Sequence, residues 1–410
     1  MSQIDANIRE EFEHFFEALS SARLTQMGFP VGPYTYLLVH LPVPDTLRSD
    51  FEPLARAIDS AYPNALSEGC IFKHALTTVL QLRGNYKQPN QSDIDAEFEA
   101  MIERIECEIE DYTVIVPIEN LKLDVPELRI ADVAIVLRRD PPDSRLVGFT
   151  SLFESNSEEY RQDFEYVHSF AIVTLKAQGE KAKAIAIDKV KDILNVLRLF
   201  IGSGNIQGMQ LFREVRLIGE TGVSSGRYVH LVYQDDDVVD AISEIVPRSR
   251  GVTTAVIGEE FIDLLRTNGL PYIEAVLQGK DKDDFRRKIY RAITWFGRGI
   301  CANTDDEKFV SYVVALETLL IGREGGKRAR LAKRVAFLLS DNLQEREQLQ
   351  RDIKVLYDLR SAIVHGGKPA ERVAELETLT RRVIHEFVLR GFGIFDEFLE
   401  WIERAQSEKI

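Results

Sequence analysis

The stretch QEREQLQRDIKVLYDLRSAIVHGG, Gln344 to Gly367, decides how this chain folds at its C-terminal end. Leu349, Ile353, Leu356, Arg360 and Ile363 follow one another at steps of four, three, four and three, which places them on one stripe of an α-helix. Gly366-Gly367 ends that helix, with Gly366 expected in the left-handed conformation that closes a helix C-terminus. Arg360 interrupts an otherwise apolar stripe. A guanidinium turned toward a core loses several kcal/mol of hydration unless it is paired, so this position calls for an acid or an anionic ligand.

The same periodicity extends outward on both sides. Helical patterns run through Phe261–Leu277, Phe285–Cys301, Phe309–Ile321, Arg328–Leu339 and Glu371–Glu403, with breaks at Gly279, Asn303, Gly322–Gly326 and Asp341-Asn342. No strand signal occurs between Glu259 and Arg404, so residues 255–410 read as an all-helical bundle. Residues 111–254 mix strands (Tyr112–Pro117, Leu128–Leu137, Val167–Lys176, Met209–Ile218, Arg227–Tyr233) with a helix over Ala182–Phe200 that stops near Gly202-Ser203-Gly204. The acidic Asp235–Asp237 turn is expected to open a further helix. Residues 1–110 read as mostly helical, from Ile8, Phe12, Phe15, Phe16 and Leu19 through segments near Phe72–Leu82 and Asp93–Ile109, with one strand at Tyr34–Leu41. The expected fold class is α+β: a mixed α/β N-terminal region, in one regulatory unit or two, followed by a helical bundle.

Length and composition bound the function. A chain of 410 residues suits two or three domains, and 45% hydrophobic with 29% charged residues excludes disorder, collagen-like repeats and membrane spans. MSQIDANIREEFEHFFEAL carries acids where an export leader needs basic residues, so a soluble, cytoplasmic protein without a membrane partner is expected. Cys70, Cys107 and Cys301 show no CxxC spacing and are expected to be buried small apolar residues. The net charge of −15 argues against nucleic acid until it is located. Residues 1–280 hold 27 basic against 44 acidic residues, and residues 281–410 hold 24 against 22. Within the latter, Arg323, Lys327, Arg328, Arg330, Lys333 and Arg334 face only Glu324. Such a run is either a solvated helix face or an interaction surface.

No phosphate-binding glycine loop, HExxH or GxSxG motif is present, and no metal or cofactor is expected. His14, His40, His74, His168 and His230 stand singly in different elements. His365 differs, because it follows Arg360 by five residues and closes the helix. In FVSYVVALETLLI, Phe309 to Ile321, Glu317 is the only charge, and it is the candidate partner of Arg360. The structural reading is a buried Glu317–Arg360 pair with His365 as a C-terminal cap favoured by the helix dipole. The catalytic reading uses both residues, although five positions at about 100° each put them roughly 140° apart. They meet on one ligand if the helix ends or bends, if the Arg arm wraps round, or if a symmetry-related copy supplies the second residue.

The string LYDLRSAIVHGG (Leu356–Gly367), preceded by ALETLL (Ala315–Leu320) and RLAKRVAFLL (Arg330–Leu339), resembles the HEPN superfamily and, within it, the ApeA-like branch. The family motif is Arg, four to six residues, then His. It also matches Arg161 and His168, in a segment read as loop and strand, where it is taken as chance. The resemblance covers about Phe285–Val388, roughly a quarter of the chain.

What the resemblance implies is a metal-independent endoribonuclease acting in antiviral, abortive-infection defence. HEPN enzymes dimerise so that two motif helices line one cleft. By this carry-over His365 is the general acid/base, and an unperturbed imidazole titrating near 6.5 suits that task. Arg360 binds the scissile phosphate, Glu317 orients Arg360 or His365, and Ser361 is a polar helper. Lys327, Arg328, Arg330, Lys333 and Arg334 track the RNA backbone. The implied partners are RNA, with tRNA one candidate, a second copy of the chain, and a phage-derived trigger sensed by the acidic N-terminal region. Some HEPN toxins carry a Tyr two residues after the His that accepts AMP; here that position is Gly367. The alternative is a non-catalytic dimeric HEPN regulatory module.

Overall fold

The computed structural model describes residues 3–19, 43–85, 89–137, 167–201, 204–206, 209–211, 216–217, 224–234, 237–248, 254–322 and 326–407. The expected strand at Tyr34–Leu41, the Gly202-Ser203 turn, and Arg161 and Arg323 lie outside these residues. The chain divides into two compact units. One comprises Met1–Val114, Thr174–Ala186 and Val232–Val239, the other Ile115–Val173, Ile187–Leu231 and Asp240–Ile410.

The first unit is built on α1 (Gln3–Ala18), α2 (Asp45–Ala61), α3 (Glu68–Asn85) and α4 (Gln91–Cys107). The apolar series Ile8, Phe12, Phe15, Phe16 and Leu19 is buried, as its spacing requires. Phe51 joins the Phe15 and Phe72 rings at 5.7 and 5.2 Å. α4 begins with a reciprocal cap: Asn90 accepts from the Asp93 backbone N–H, and Asp93 accepts from that of Asn90. Cys70 is buried in this core, but Cys107 is exposed, contrary to expectation, because it falls in the last turn of α4 on the solvent side.

The sheet runs in the order β10-β9-β1-β5-β4-β3, with β8 also paired to β1. Its strands are β1 (Glu110–Glu119), β3 (Glu127–Ile130), β4 (Val133–Leu137), β5 (Ser169–Ala177), β8 (Arg216–Leu217), β9 (Ser224–Gln234) and β10 (Asp237–Arg248). The expected strand Leu128–Leu137 is two antiparallel strands, joined where Ala131 takes a φ of +51°. The Ala131 backbone N–H donates to Glu274 at 2.8 Å, which holds that turn. The helix expected after Asp235–Asp237 is strand β10, whose Val238, Val239, Ile242, Ile245 and Val246 suit pairing with β9 better than a helix. Met209–Ile218, read as one strand, contains two short ones, β7 (Met209–Leu211) and β8, with β7 paired to β6 (Gly204–Ile206). A two-stranded parallel pair, β2 (Leu121–Leu123) with β11 (Ala255–Ile257), had too few residues to register as a pattern.

α5 (Gly179–Phe200) lies between β5 and β6, and helices follow β11. They are α6 (Glu259–Thr267), α7 (Leu270–Gly279), α8 (Asp284–Cys301), α9 (Asp305–Leu320), α10 (Lys327–Leu339), α11 (Leu343–Gly366), α12 (Val373–Arg390) and α13 (Phe395–Ser407). The class is therefore α+β. Two expected helices are split: Gly269 and Gly391 have φ of +97° and +63°, and these left-handed residues end α12 and separate α6 from α7. The bundle core is formed by Ile289 and Phe296 of α8, Phe309, Tyr312 and Leu316 of α9, Leu331 and Val335 of α10, Leu356 of α11, and Val383 and Phe387 of α12. Arg381 of α12 donates to the Leu199 and Ile201 carbonyls at 2.7 and 3.2 Å, which ties the bundle to the end of α5. No described helix is long and apolar enough to cross a membrane.

α9 starts with a capping box in which the Thr304 hydroxyl accepts from the Glu307 backbone N–H and Glu307 accepts from that of Thr304. Loss of an N-cap costs about 1 kcal/mol. Thr304→Ala is expected to lower unfolding free energy by that amount in urea titration, with Thr304→Ser close to wild type; no difference between the two variants would remove the cap's role.

Candidate functional site

Two antiparallel neighbours, α9 and α11, carry the candidate residues. Asn342 caps α11 by accepting from the Glu345 backbone N–H at 3.1 Å. Its first turn is anchored by buried Arg346, whose Nε donates to the Ser340 carbonyl at 2.7 Å. From there Ile353, Leu356 and Ile363 point into the bundle, and Leu349 and Arg360 on the same stripe are half-buried.

The expected Glu317–Arg360 ion pair is not formed. The Tyr357 hydroxyl donates to Glu317 Oε1 at 2.7 Å instead. Tyr357 lies three residues before Arg360, so its ring reaches the acid first across the α9–α11 groove. Burial and the Glu317 carboxylate push the Tyr357 hydroxyl up to about 12, while the nearby Arg360 charge pulls the other way. Among the described residues Arg360 makes no ion pair, and its Nε is buried without a hydrogen-bond partner. A cation in this position retains donors for an anion.

His365 stands on the last turn of α11 and is exposed, as is Ser361 one turn before it. Their spacing of four puts them side by side. α11 continues without a break through Gly366, and Gly367 is the left-handed residue with φ of +63°, one position later than expected. The extra position lets Gly366 finish the last turn while the Gly367 backbone N–H donates to the Ala362 carbonyl. Because the helix runs unbroken past His365, Arg360 and His365 keep their separation of about 140° within one chain. The structure thus brings Arg360, Tyr357 and Glu317 together on one side of α11, and Ser361 and His365 together on another.

The segment after His365 is held back against the bundle. The Ala370 backbone N–H donates to Asp306 Oδ1 in the first turn of α9 at 2.7 Å. Arg372 reaches Asp352 of α11 at 3.7 Å and also pairs with Glu375. Lys368, exposed three residues past His365, is a further cation at this end. It was legible as the basic residue after Gly367, whereas Tyr357 could be found only as the hydroxyl nearest to a lone acid on a neighbouring helix.

The basic run divides by face. Lys327, Arg328 and Lys333 are exposed, and Arg330 is half-buried. Arg334, expected on the RNA-facing side, is buried, donates to the Leu320 carbonyl and lies over the Phe395 ring. Its register on α10 turns it inward, where it caps the C-terminus of α9 together with Lys288, which donates to the Ile321 carbonyl at 3.1 Å. Burial and the Arg334 charge lower the Lys288 ammonium below its ordinary value. Arg328 pairs with Asp358 of α11, which fixes the basic helix beside the motif helix.

Comparison with protein-family models, with curated proteins and with solved structures returned no match, so the functional reading rests on the residues described above.

Proposed function

We propose that the chain is a metal-independent endoribonuclease of HEPN type that acts in the cytoplasm as an antiviral, abortive-infection enzyme. The reading is carried by one observation: Glu317 is engaged by Tyr357, so the half-buried Arg360 keeps an unpartnered Nε one and a half turns before an exposed His365. The competing structural role for Arg360 needed that acid.

In the proposed reaction the ribose 2′-hydroxyl attacks the adjacent phosphorus in line with the P–O5′ bond. His365 takes the 2′-proton, and a second His365 delivers one to the departing 5′-oxygen. Arg360 stabilises the charge that develops on the phosphoryl oxygens. The products are a 2′,3′-cyclic phosphate and a 5′-hydroxyl, and no metal or cofactor takes part. Because the pair diverges by about 140° on one helix, the reading has a second copy of the chain supply the other residue at each phosphate. Support for such pairing comes from the outer side of α11, where Val355 is 53% exposed and Leu359 and Ala362 are half-exposed. Lys327 and Lys333 guide the RNA backbone, with Arg328 held by Asp358, tRNA being one candidate substrate. The acidic N-terminal region responds to a phage-derived trigger.

The test is RNA-end mapping in phage-challenged bacteria that express the chain, together with its mass in solution. New 5′-hydroxyl ends and a dimer are expected. A monomer under all conditions, or intact RNA, would refute the proposal.

Glu317→Gln separates positioning from packing. Gln still accepts from Tyr357, so a stability change within about 1 kcal/mol is expected, along with at least a tenfold loss in kcat at unchanged KM. A stability loss larger than the activity loss would make Glu317 a structural residue.

A further inference from the structure

We propose that Cys70, His74 and Glu108 form a three-ligand site for a thiophilic divalent cation of the Zn2+ type, independent of the α11 motif and of the function proposed for it. Cys70 and His74 are four residues apart on α3, so they project from successive turns of one face. Glu108, the residue that caps the end of α4, meets them from the neighbouring helix. The thiol sulfur, an imidazole nitrogen and a carboxylate oxygen all lie within 4.8 Å of one another, and His74 Nε2 is 3.1 Å from Glu108 Oε1. A tetrahedral Zn2+ with bonds of 2.0–2.3 Å holds its ligand atoms roughly 3.4–3.6 Å apart. Side-chain adjustments of about an ångström therefore complete the site.

The chemistry is selective. Sulfur and imidazole donors favour Zn2+-like ions over Mg2+ or Ca2+. A thiolate and a carboxylate neutralise a divalent charge at a place where Cys70 and His74 are 6% and 7% exposed. Burial holds the His74 imidazole below its ordinary value, which keeps it in the neutral form that ligates. Burial, then the Glu108 charge, pushes the Cys70 thiol up to about 12, so the bound cation takes the place of the thiol proton, which leaves to solvent. Glu108 Oε1 already attracts a cation, the Lys73 ammonium at 2.8 Å, and burial is outweighed by the Lys73 and His74 hydrogen bonds that hold its carboxyl below the ordinary range. Metal binding replaces that ammonium and leaves a fourth position for water. The bound ion would join α3 to the end of α4.

The full-length chain, stripped with EDTA, is titrated with Co2+ and followed by the thiolate-to-cobalt charge-transfer absorption, with Zn2+ as competitor. One equivalent, displaced by Zn2+, is expected. Cys107→Ser, which removes the exposed neighbouring thiol, leaves the band in place, and Cys70→Ala abolishes it. Glu108→Gln, which keeps the side-chain shape, weakens binding by more than about 100-fold, the upper end of what loss of an outer-sphere partner produces. Lys73→Met tightens it. The site is overturned if wild type shows no thiolate band, if the band survives Cys70→Ala or disappears with Cys107→Ser, or if Glu108→Gln binds as wild type does. The last comparison stands even where Cys70→Ala fails to fold.

Discussion

His365→Ala is expected to reduce RNA cleavage by roughly 10²–10⁴-fold, the range contributed by a positioned general acid or base, while the urea midpoint of unfolding stays where it was. The two halves of that expectation come from different facts. His365 is exposed on the last turn of α11 and buries no surface whose loss would weaken the fold. In the proposed reaction it is also the group that moves the proton at the reacting oxygen. Arg360→Ala should impair cleavage similarly but also shift the midpoint, because its stem is half-buried along the α9–α11 groove. In growing bacteria the three proteins should therefore separate: wild type causes RNA loss and phage protection on induction, and neither variant does. If wild type and both variants behave alike while equally folded, the nuclease reading fails and the dimeric regulatory module takes its place.

The second large effect concerns the corner that holds the bundle together. Phe387 of α12 is fully buried and packs against Phe392 and Phe398 at 5.1 Å and Phe285 at 6.0 Å. Truncating such a ring removes its transfer energy and leaves a cavity that three other rings cannot close, at about 3–5 kcal/mol. Natural domains hold only about 5–15 kcal/mol in reserve. Phe387→Ala should accordingly lower the urea midpoint sharply with little change in the denaturant slope, and Phe387→Leu should recover more than half of the loss. A loss under 1 kcal/mol would mean that this aromatic corner is not the packed element described.

Regular periodicity was the readable part of the chain. Helices α1, α5, α8, α9, α10 and α11 follow their apolar repeats, because each buries one stripe over four turns or so and the pattern has room to declare itself. What escaped was set by single residues or by partners distant in the chain. Gly269 and Gly391 end helices whose apolar repeat continues past them, and β10 is a strand because β9 lies beside it. At the candidate site, the inward-facing Arg360 was legible from spacing and the helix end to within one residue, Gly367 rather than Gly366 closing it, whereas the exposure of His365 was not. The partner of Glu317 was not, since Tyr357 and Arg360 are three residues apart on the same groove and only side-chain reach chooses between them. Cys70 and His74 form a pair only when Glu108, 34 residues further on, closes the space beside them.

The division of the α10 cations has a thermodynamic consequence. Binding to a single strand releases condensed counterions, and each phosphate contact contributes about −0.7 to the slope of log affinity against log salt. Arg334 is committed to the Leu320 carbonyl and Arg328 to Asp358, so two of the charges on α10 have no ions to free from RNA. The slope per subunit should thus be shallower by about 1.4 than the basic run suggests. An enzyme of this kind would keep more of its grip on RNA as ionic strength rises, and the choice of target would fall to the shape and bases of the strand rather than to its charge.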